Sequence, residues 1–413
     1  MTASLTLDRL APLSRCGIDT VEIARIERLL SETSRDDLLK IFSAEELTET
    51  GDGPTGAARI AARFAAKEAC LKLFPRETAL GLIGPADFAV ARNGYGAPGV
   101  VCSPRARVLL ERHRLSAIAL SLTHDKGTAA AVAVTQPVTT EPRRAGTLIY
   151  HLLPIRRRTV LANLQRVFAD TVPANEIRRI AQAHYAHLAR SFAELARLPW
   201  LSPARRAALV RVENMDVMMR AHAQGKGVLV LTGHFGNWEL ATVVGLANFP
   251  QYRGQFHVVR RSLAPRWLDL LVTRRFRRVG FGVIPKQGAL DVVLERLAAG
   301  DSVVFTFDQH AGGRDGVAVE FFGQPCGTFR SLALIALSTG APVVPATSWR
   351  EPDGNHVLRF EEPVSAVDCD DPGEAIRATT RAYNAVLERL VLRHPEQWFW
   401  MHRRWKDARG HVT

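Results

Sequence analysis

Val228-Leu229-Val230-Leu231-Thr232-Gly233-His234-Phe235-Gly236-Asn237-Trp238-Glu239 reads as a strand that runs out into a turn and opens a helix. A short unbroken apolar run ending in Thr-Gly has the length and composition of a strand buried on both faces. His234 and Glu239 bracket the turn that follows. Similar apolar runs recur at Ser302 to Phe307 and Val343 to Ala346, with a helix-patterned Leu290 to Ala299 between glycine-marked turns. Buried strands alternating with helices predict an α/β fold with helices packed on a central sheet. Such sheets bind ligands beyond the carboxyl ends of their strands, where His234 falls. A histidine there can take the proton of an attacking hydroxyl while a carboxylate fixes its tautomer, so no serine or cysteine nucleophile is required. Taken alone, a histidine in a turn is more often a structural hydrogen-bonder.

Upstream, arginine- and alanine-rich helical stretches extend to about Ala223, preceded by Thr135-Gln136-Pro137-Val138-Thr139-Thr140-Glu141-Pro142-Arg143-Arg144, where prolines and polar residues break all periodicity. A chain of 413 residues exceeds the roughly 100 to 200 typical of one domain. We therefore expect a first domain over 1–136, a linker over 137–147 and a second domain over 148–408. The first domain reads as mixed α+β: helices from Val21 to Leu30 and around Ala57 to Phe74, and strands near Phe88 to Ala91, Ile118 to Leu122 and Ala129 to Val134.

Two segments carry the chemistry of that domain, Gly17-Ile18-Asp19-Thr20-Val21-Glu22-Ile23 and Ala61-Ala62-Arg63-Phe64-Ala65-Ala66-Lys67-Glu68-Ala69-Cys70-Leu71-Lys72. Glu68 and Lys72 share a helix face, which alone describes an ordinary surface ion pair. An acidic residue near a strand end plus one on a helix is also a common way to hold Mg²⁺, phosphates and water completing the octahedron. With Ile41-Phe42-Ser43-Ala44-Glu45-Glu46, Asn93-Gly94-Tyr95-Gly96-Ala97-Pro98 and Ser121-Leu122-Thr123-His124, the ordered set from Cys16 to Val134 resembles the holo-acyl-carrier-protein synthases, which are 4′-phosphopantetheinyl transferases. The resemblance implies that Asp19 and Glu68 bind Mg²⁺ at the coenzyme A pyrophosphate and that Lys72 assists phosphoryl transfer. It also implies that Ser121 and His124 lie near the nucleotide, that an acyl carrier protein is the partner, and that the domain forms trimers with sites between subunits. The family's usual Ser-Leu-Ser-His is Ser-Leu-Thr-His in this chain.

The second domain has its own ordered set: His234 to Glu239, Phe307-Asp308-Gln309, Phe321-Phe322-Gly323-Gln324-Pro325, Thr339 to Pro345, and His394-Pro395-Glu396-Gln397-Trp398-Phe399-Trp400-Met401-His402-Arg403-Arg404-Trp405. From Leu148 to Lys406, with Leu153-Pro154, Asn163-Leu164 and Phe168 at its start, this is similar to the lipid A late acyltransferases of the lysophospholipid acyltransferase superfamily, without the membrane-spanning helix usual before them. That resemblance implies His234 as general base, Glu239 as its partner and Asp308 as a further active-site acid, with Arg260 and Arg275 binding the acceptor or its phosphates. The expected acceptor is a lipid or glycolipid, and the donor an acyl carrier thioester. Trp398, Trp400 and Trp405 are read as a packed core rather than a membrane belt.

A net charge of +13 and a pI near 10.1 attract polyanions. The arginine pairs Arg260-Arg261, Arg274-Arg275 and Arg277-Arg278, and the run Arg156 to Arg158, are open to a solvated face or to contact with an anionic membrane. No zinc finger, helix-turn-helix cue or aromatic-basic RNA motif supports nucleic-acid binding. Cys16, Cys70, Cys102, Cys326 and Cys369 are scattered, odd in number and without metal-ligand spacing. With neither a signal-peptide pattern nor an apolar run of about 18 residues, the expected location is the cytoplasm, or peripheral at the inner face of the cytoplasmic membrane. The sequence thus predicts a bifunctional transferase; the rival is a membrane-surface adaptor that docks carrier proteins with one or both sites vestigial.

Overall fold

The computed structural model describes residues 14–49, 54–93, 96–153, 155–262 and 264–406. Of the positions singled out above, the first thirteen residues, Gly94, Tyr95, Pro154 and residues 407–408 lie outside that set. The chain forms two compact units, one from the chain up to Thr139 with Asp170–Pro173, the other from Thr140–Ala169 with the chain from Ala174 onward.

In the first unit β1 (Arg15–Glu22), β4 (Ala119–His124) and β5 (Thr128–Thr135) form an antiparallel sheet in the order β1-β5-β4, and β2 (Phe88–Arg92) pairs with β3 (Pro98–Cys102). The strand period of two buries Gly17 and Val21 of β1 and Ala129, Ala131 and Ala133 of β5, and turns Cys16, Ile18 and Thr20 outward. The buried face lies on helix Pro54–Leu71, whose Ala61, Ala62, Ala65, Ala66 and Ala69 are at most 5% exposed. Small residues on both sides let backbones approach closely. At Gly17 a Cβ would stand 2.0 Å from the Ala69 carbonyl oxygen, so no other residue fits. Val21 and Glu22, expected to begin a helix, instead complete β1 opposite Ala129 and Thr128. There the ladder hydrogen bonds and the buried β-branched Val21 outweigh the helical periodicity, and the helix starts at Ile23.

In the second unit β6 (Val210–Glu213), β7 (Val228–Thr232), β8 (Phe256–Arg260), β9 (Phe281–Pro285), β10 (Ser302–Thr306), β13 (Val343–Arg350) and β14 (His356–Phe360) make a seven-stranded sheet. Its order is β6-β14-β13-β7-β10-β8-β9, parallel throughout except between β13 and β14. A hairpin of β11 (Gly316–Phe321) and β12 (Gln324–Phe329) stands apart from it. The helices between strands bury their apolar stripes, among them Leu240, Val244, Val272 and Phe276.

The strand order creates a switch point. From β7 the chain crosses to β8 on the far side of β10, whereas from β10 it travels to β13 on the far side of β7. The connections leaving these two neighbours therefore diverge at their carboxyl ends and open a crevice there.

Candidate active sites

In the first unit, the close approach at Gly17 sets the geometry. Two residues further along β1, Asp19 faces the same helix, and Lys72 donates hydrogen bonds to its Oδ1 at 2.7 Å and to the Ile18 carbonyl at 2.9 Å. Glu68, one helical turn before Lys72, lies close enough to feel Asp19. Burial and then the Asp19 charge push the Glu68 carboxyl above its usual range, against the pull of Lys72 and Arg25. Two repelling carboxylates in a half-buried place are what a divalent cation neutralises, and their hard oxygens suit Mg²⁺. Among the described residues no cluster of three or more His, Cys, Asp or Glu side chains forms a metal cage. Two carboxylates fit an ion that takes its other ligands from phosphates and water.

Ser121 and His124 do not join this group in the same way. Ser121 pairs with Val132 on the open face of the sheet, opposite the side on which Asp19 meets the helix, and His124 is exposed at the end of β4. The open face also carries Ile18, 60% exposed.

In the second unit, the register of parallel β7 and β10 sets Thr232 beside Thr306, so His234 and Asp308 leave the sheet side by side at the switch point. His234 Nδ1 lies 2.9 Å from Asp308 Oδ1, and the His234 backbone N–H donates to Oδ2 at 2.7 Å. The indole N–H of Trp398 gives Oδ2 another hydrogen bond at 2.8 Å. Asp308 is wholly buried. Burial alone would raise its carboxyl, yet the charge and hydrogen bonds of His234, with His402, hold it well below the usual carboxylate range. An ionised Asp308 accepts from Nδ1–H, which leaves the Nε2 lone pair of a neutral His234 as the basic site.

Around Nε2 stand Gln309, whose amide nitrogen is 3.5 Å from both His234 Nε2 and His402 Nε2, and the rings of Trp238, Phe399 and His402 at centroid distances of 5.0, 6.0 and 4.8 Å. Burial pushes the His402 imidazole down to about 4. Gly233 is required by proximity, for a Cβ there would meet Phe235 at 2.8 Å and Asp308 Oδ2 at 2.9 Å.

The carboxylate on His234 is thus Asp308, where the sequence reading had put Glu239. Five residues of turn and first helical turn carry Glu239 onto helix Trp238–Ala247 and toward two arginines. It sits 4.0 Å from Arg275, and burial raises its carboxyl against the charges of Arg275, Arg260 and His234. Arg260, at the carboxyl end of β8, binds Asp269 at 2.8 Å and the Thr273 hydroxyl at 3.0 Å. Glu239, Arg260 and Arg275 therefore form a charged wall next to the histidine.

A second layer fixes the turn. Gly236 N–H donates to the Gln397 carbonyl, Phe399 N–H to that of His234, and Phe235 bridges Trp398. Beneath it, buried Arg350 makes a two-pronged ion pair with Glu194 at 2.7 and 2.8 Å and donates to His187 Nδ1 at 2.8 Å. His187 Nε2 in turn reaches the Gly236 carbonyl at 3.1 Å. Trp398, Trp400 and Trp405 are buried at 4% exposure or less, a core as expected. Arg404, wholly buried, donates to the Gln309 carbonyl, Thr328 and Asn384. Sequence reasoning gave no role in this assembly to Gln309, His402 or Arg350, although the Phe307-Asp308-Gln309 and His394 to Trp405 blocks hold the first two.

Residues 15–134 match the 4′-phosphopantetheinyl transferase superfamily, and residues 138–407 match the family described as bacterial lipid A biosynthesis acyltransferase. The holo-[acyl-carrier-protein] synthase of Wolinella succinogenes is 38% identical over 130 residues, 31% of this chain and 98% of its own. The phosphatidylinositol mannoside acyltransferase of Mycolicibacterium smegmatis is 27% identical over 247 residues, 59% of this chain and 77% of its own. The lipid A biosynthesis lauroyltransferase of Escherichia coli is 26% identical over 263 residues, 63% of this chain and 82% of its own.

Proposed function

We propose, from the premise that the chain belongs to the bacterial lipid A biosynthesis acyltransferase family and in its first third to the holo-acyl-carrier-protein synthases, that it is a bifunctional transferase serving one acyl-carrier system. Its first unit moves 4′-phosphopantetheine from coenzyme A to a carrier-protein serine; its second moves an acyl chain from a carrier thioester to the hydroxyl of a lipid or glycolipid.

In the first reaction the serine hydroxyl gives its proton to solvent and its oxygen forms a bond to phosphorus as the bond to adenosine 3′,5′-bisphosphate breaks. Catalysis of this kind is positioning and charge neutralisation. Asp19 and Glu68 would hold Mg²⁺, which supplies positive charge at the pyrophosphate. Lys72, already against Asp19, adds its ammonium to the same phosphates. Ser121 lies on the sheet face turned away from Asp19 whereas His124 shares the face of Asp19, so Ser121 would serve the nucleotide of a second copy of the chain, in keeping with the trimer of the family.

The second reaction rests on one observation, the His234–Asp308 pair at the carboxyl ends of adjacent parallel strands. The acceptor hydroxyl attacks the thioester carbonyl while Nε2 of His234 takes its proton. Asp308 holds the Nδ1–H tautomer and stabilises the imidazolium, which then protonates the departing thiol as the C–S bond breaks. Arg260 and Arg275 bind the phosphates or polar head of the acceptor, and Glu239 accepts hydrogen bonds from its hydroxyls.

The test is a pair of assays on one preparation. Apo-carrier, coenzyme A and Mg²⁺ should give a carrier heavier by one phosphopantetheine arm, and acyl-carrier with a lipid acceptor should give acylated lipid. A carrier unchanged beside a working control synthase removes the first activity. Acyl transfer that survives His234→Ala removes the second mechanism.

A further inference from the structure

Helix Arg266–Arg278, which joins β8 to β9, buries Val272 and Phe276 against the sheet and points Asp269 and Thr273 at Arg260. Its opposite face is left open and carries large apolar side chains: Trp267, Leu270 and Leu271 are 66%, 67% and 46% exposed. At 100° per residue these three share one side of the helix with Arg274 and Arg278, flanked by Arg266 and Arg277, and all four arginines are exposed. An indole and two leucines on a surface helix beside several arginines are the composition of a helix that lies in a lipid headgroup layer. As the helix descends from the carboxyl end of β8, its Trp267 end lies toward the sheet edge that carries His234.

We propose that this helix face docks the acyltransferase unit on an anionic phospholipid surface, Trp267, Leu270 and Leu271 entering the headgroup boundary and the arginines pairing with lipid phosphates. The inference rests on the reading of the acceptor as a lipid. Charge selects this occupant over a neutral one, since the patch is cationic only, in a chain of net charge +13. An acidic carrier protein would match the arginines as well, so carrier affinity is read beside vesicle binding below; an indole at the edge of a leucine and arginine face is the feature a lipid interface favours. Among the described residues no helix is long and apolar enough to cross a membrane.

Flotation of the full-length protein with vesicles of phosphatidylglycerol and phosphatidylcholine, at low and high salt, tests it. The wild type should float with the anionic vesicles, less so as salt rises. Trp267→Ala/Leu270→Ala/Leu271→Ala should bind at least about ten-fold more weakly, with its thermal midpoint unchanged. Arg274→Gln/Arg277→Gln/Arg278→Gln should lose about five-fold per arginine and most of the salt dependence. Both variants should still acylate an acceptor dispersed in detergent. Undiminished flotation of the apolar variant overturns the proposal. So does equal binding of the wild type to purely neutral vesicles, or loss in that variant of carrier-protein affinity with vesicle binding intact. Vesicle binding as described without any acyl transfer by the wild type would uphold the docking face and remove the acyltransferase reading instead.

Discussion

Two carboxylates compete for His234, and they make different predictions. If Asp308 orients the imidazole, Asp308→Asn keeps the shape but offers the wrong tautomer, and kcat should fall by about three to four orders of magnitude with KM little changed. Glu239→Gln should act mainly on acceptor KM, because Glu239 faces Arg275 rather than Nδ1. A steady-state split of kcat and KM for the two variants checks this. Spacing alone favoured Glu239, since it stands in the same short motif; Asp308, 74 positions away just past β10, was expected in the site through the family resemblance, but its place on Nδ1 shows only in the parallel register. In the first unit the corresponding hidden residue is Gly17. Gly17→Ala forces β1 off the helix at Ala69 and should cost about 1 to 3 kcal/mol, read as a lower urea midpoint. Phosphopantetheinyl transfer should fall further than stability does, since Asp19 moves with the strand.

Among the elements, strands buried on both faces were the most legible. β7, β10 and β13 stand close to where their apolar runs put them, because continuous Val/Ile/Leu segments have no other stable place. β6 was hidden, for Val210-Arg211-Val212-Glu213 is a short edge strand whose charges merge with the helices around it. β8, β9 and β14 are as long as β7 and β10, but His257 and Arg260, Gly282 and Pro285, and His356 and Arg359 interrupt their apolar runs. Helix Ala174–Arg197 was legible as a helix but not as the brace it provides, because His184 and His187 look like surface residues in a polar stretch. Burial pushes them down to about 4 and about 3 respectively, with Arg350 adding to the effect on His187. The unfolded chain protonates them near 6.5 while the folded chain keeps them neutral. Between about pH 6.5 and 4 the unfolded state therefore binds more protons, and stability falls as pH falls, on the order of 1 kcal/mol per pH unit for each. Urea midpoints of the second unit at pH 7 and pH 5 should show this drop, and His184→Gln should flatten it. Arg350→Met would leave half-buried Glu194 with Arg190 and His356 but take the donor from buried His187 Nδ1, a loss of about 1 to 3 kcal/mol by the same measurement.

For the whole molecule, each unit has its own core and its own site, so the activities should separate by mutation: Asp19→Asn stops carrier modification alone, His234→Ala stops acyl transfer alone. The two-domain plan was legible because the linker prolines interrupt periodicity and each half carries an ordered set of motifs, whereas the sidedness of the first sheet, with Ser121 turned from Asp19, required the strand register. In the two proposed reactions both halves act on the carrier protein, so its intact mass reports on both. Incubated with the full-length protein, coenzyme A and Mg²⁺, the apo-carrier should gain one phosphopantetheine arm; supplied in acylated form with a lipid acceptor, it should fall back to the holo mass, and with the His234→Ala protein it should not. A carrier that never gains the arm, or an acyl-carrier that keeps its acyl group in the presence of the wild-type protein and acceptor, would contradict the account of two transferases in one chain.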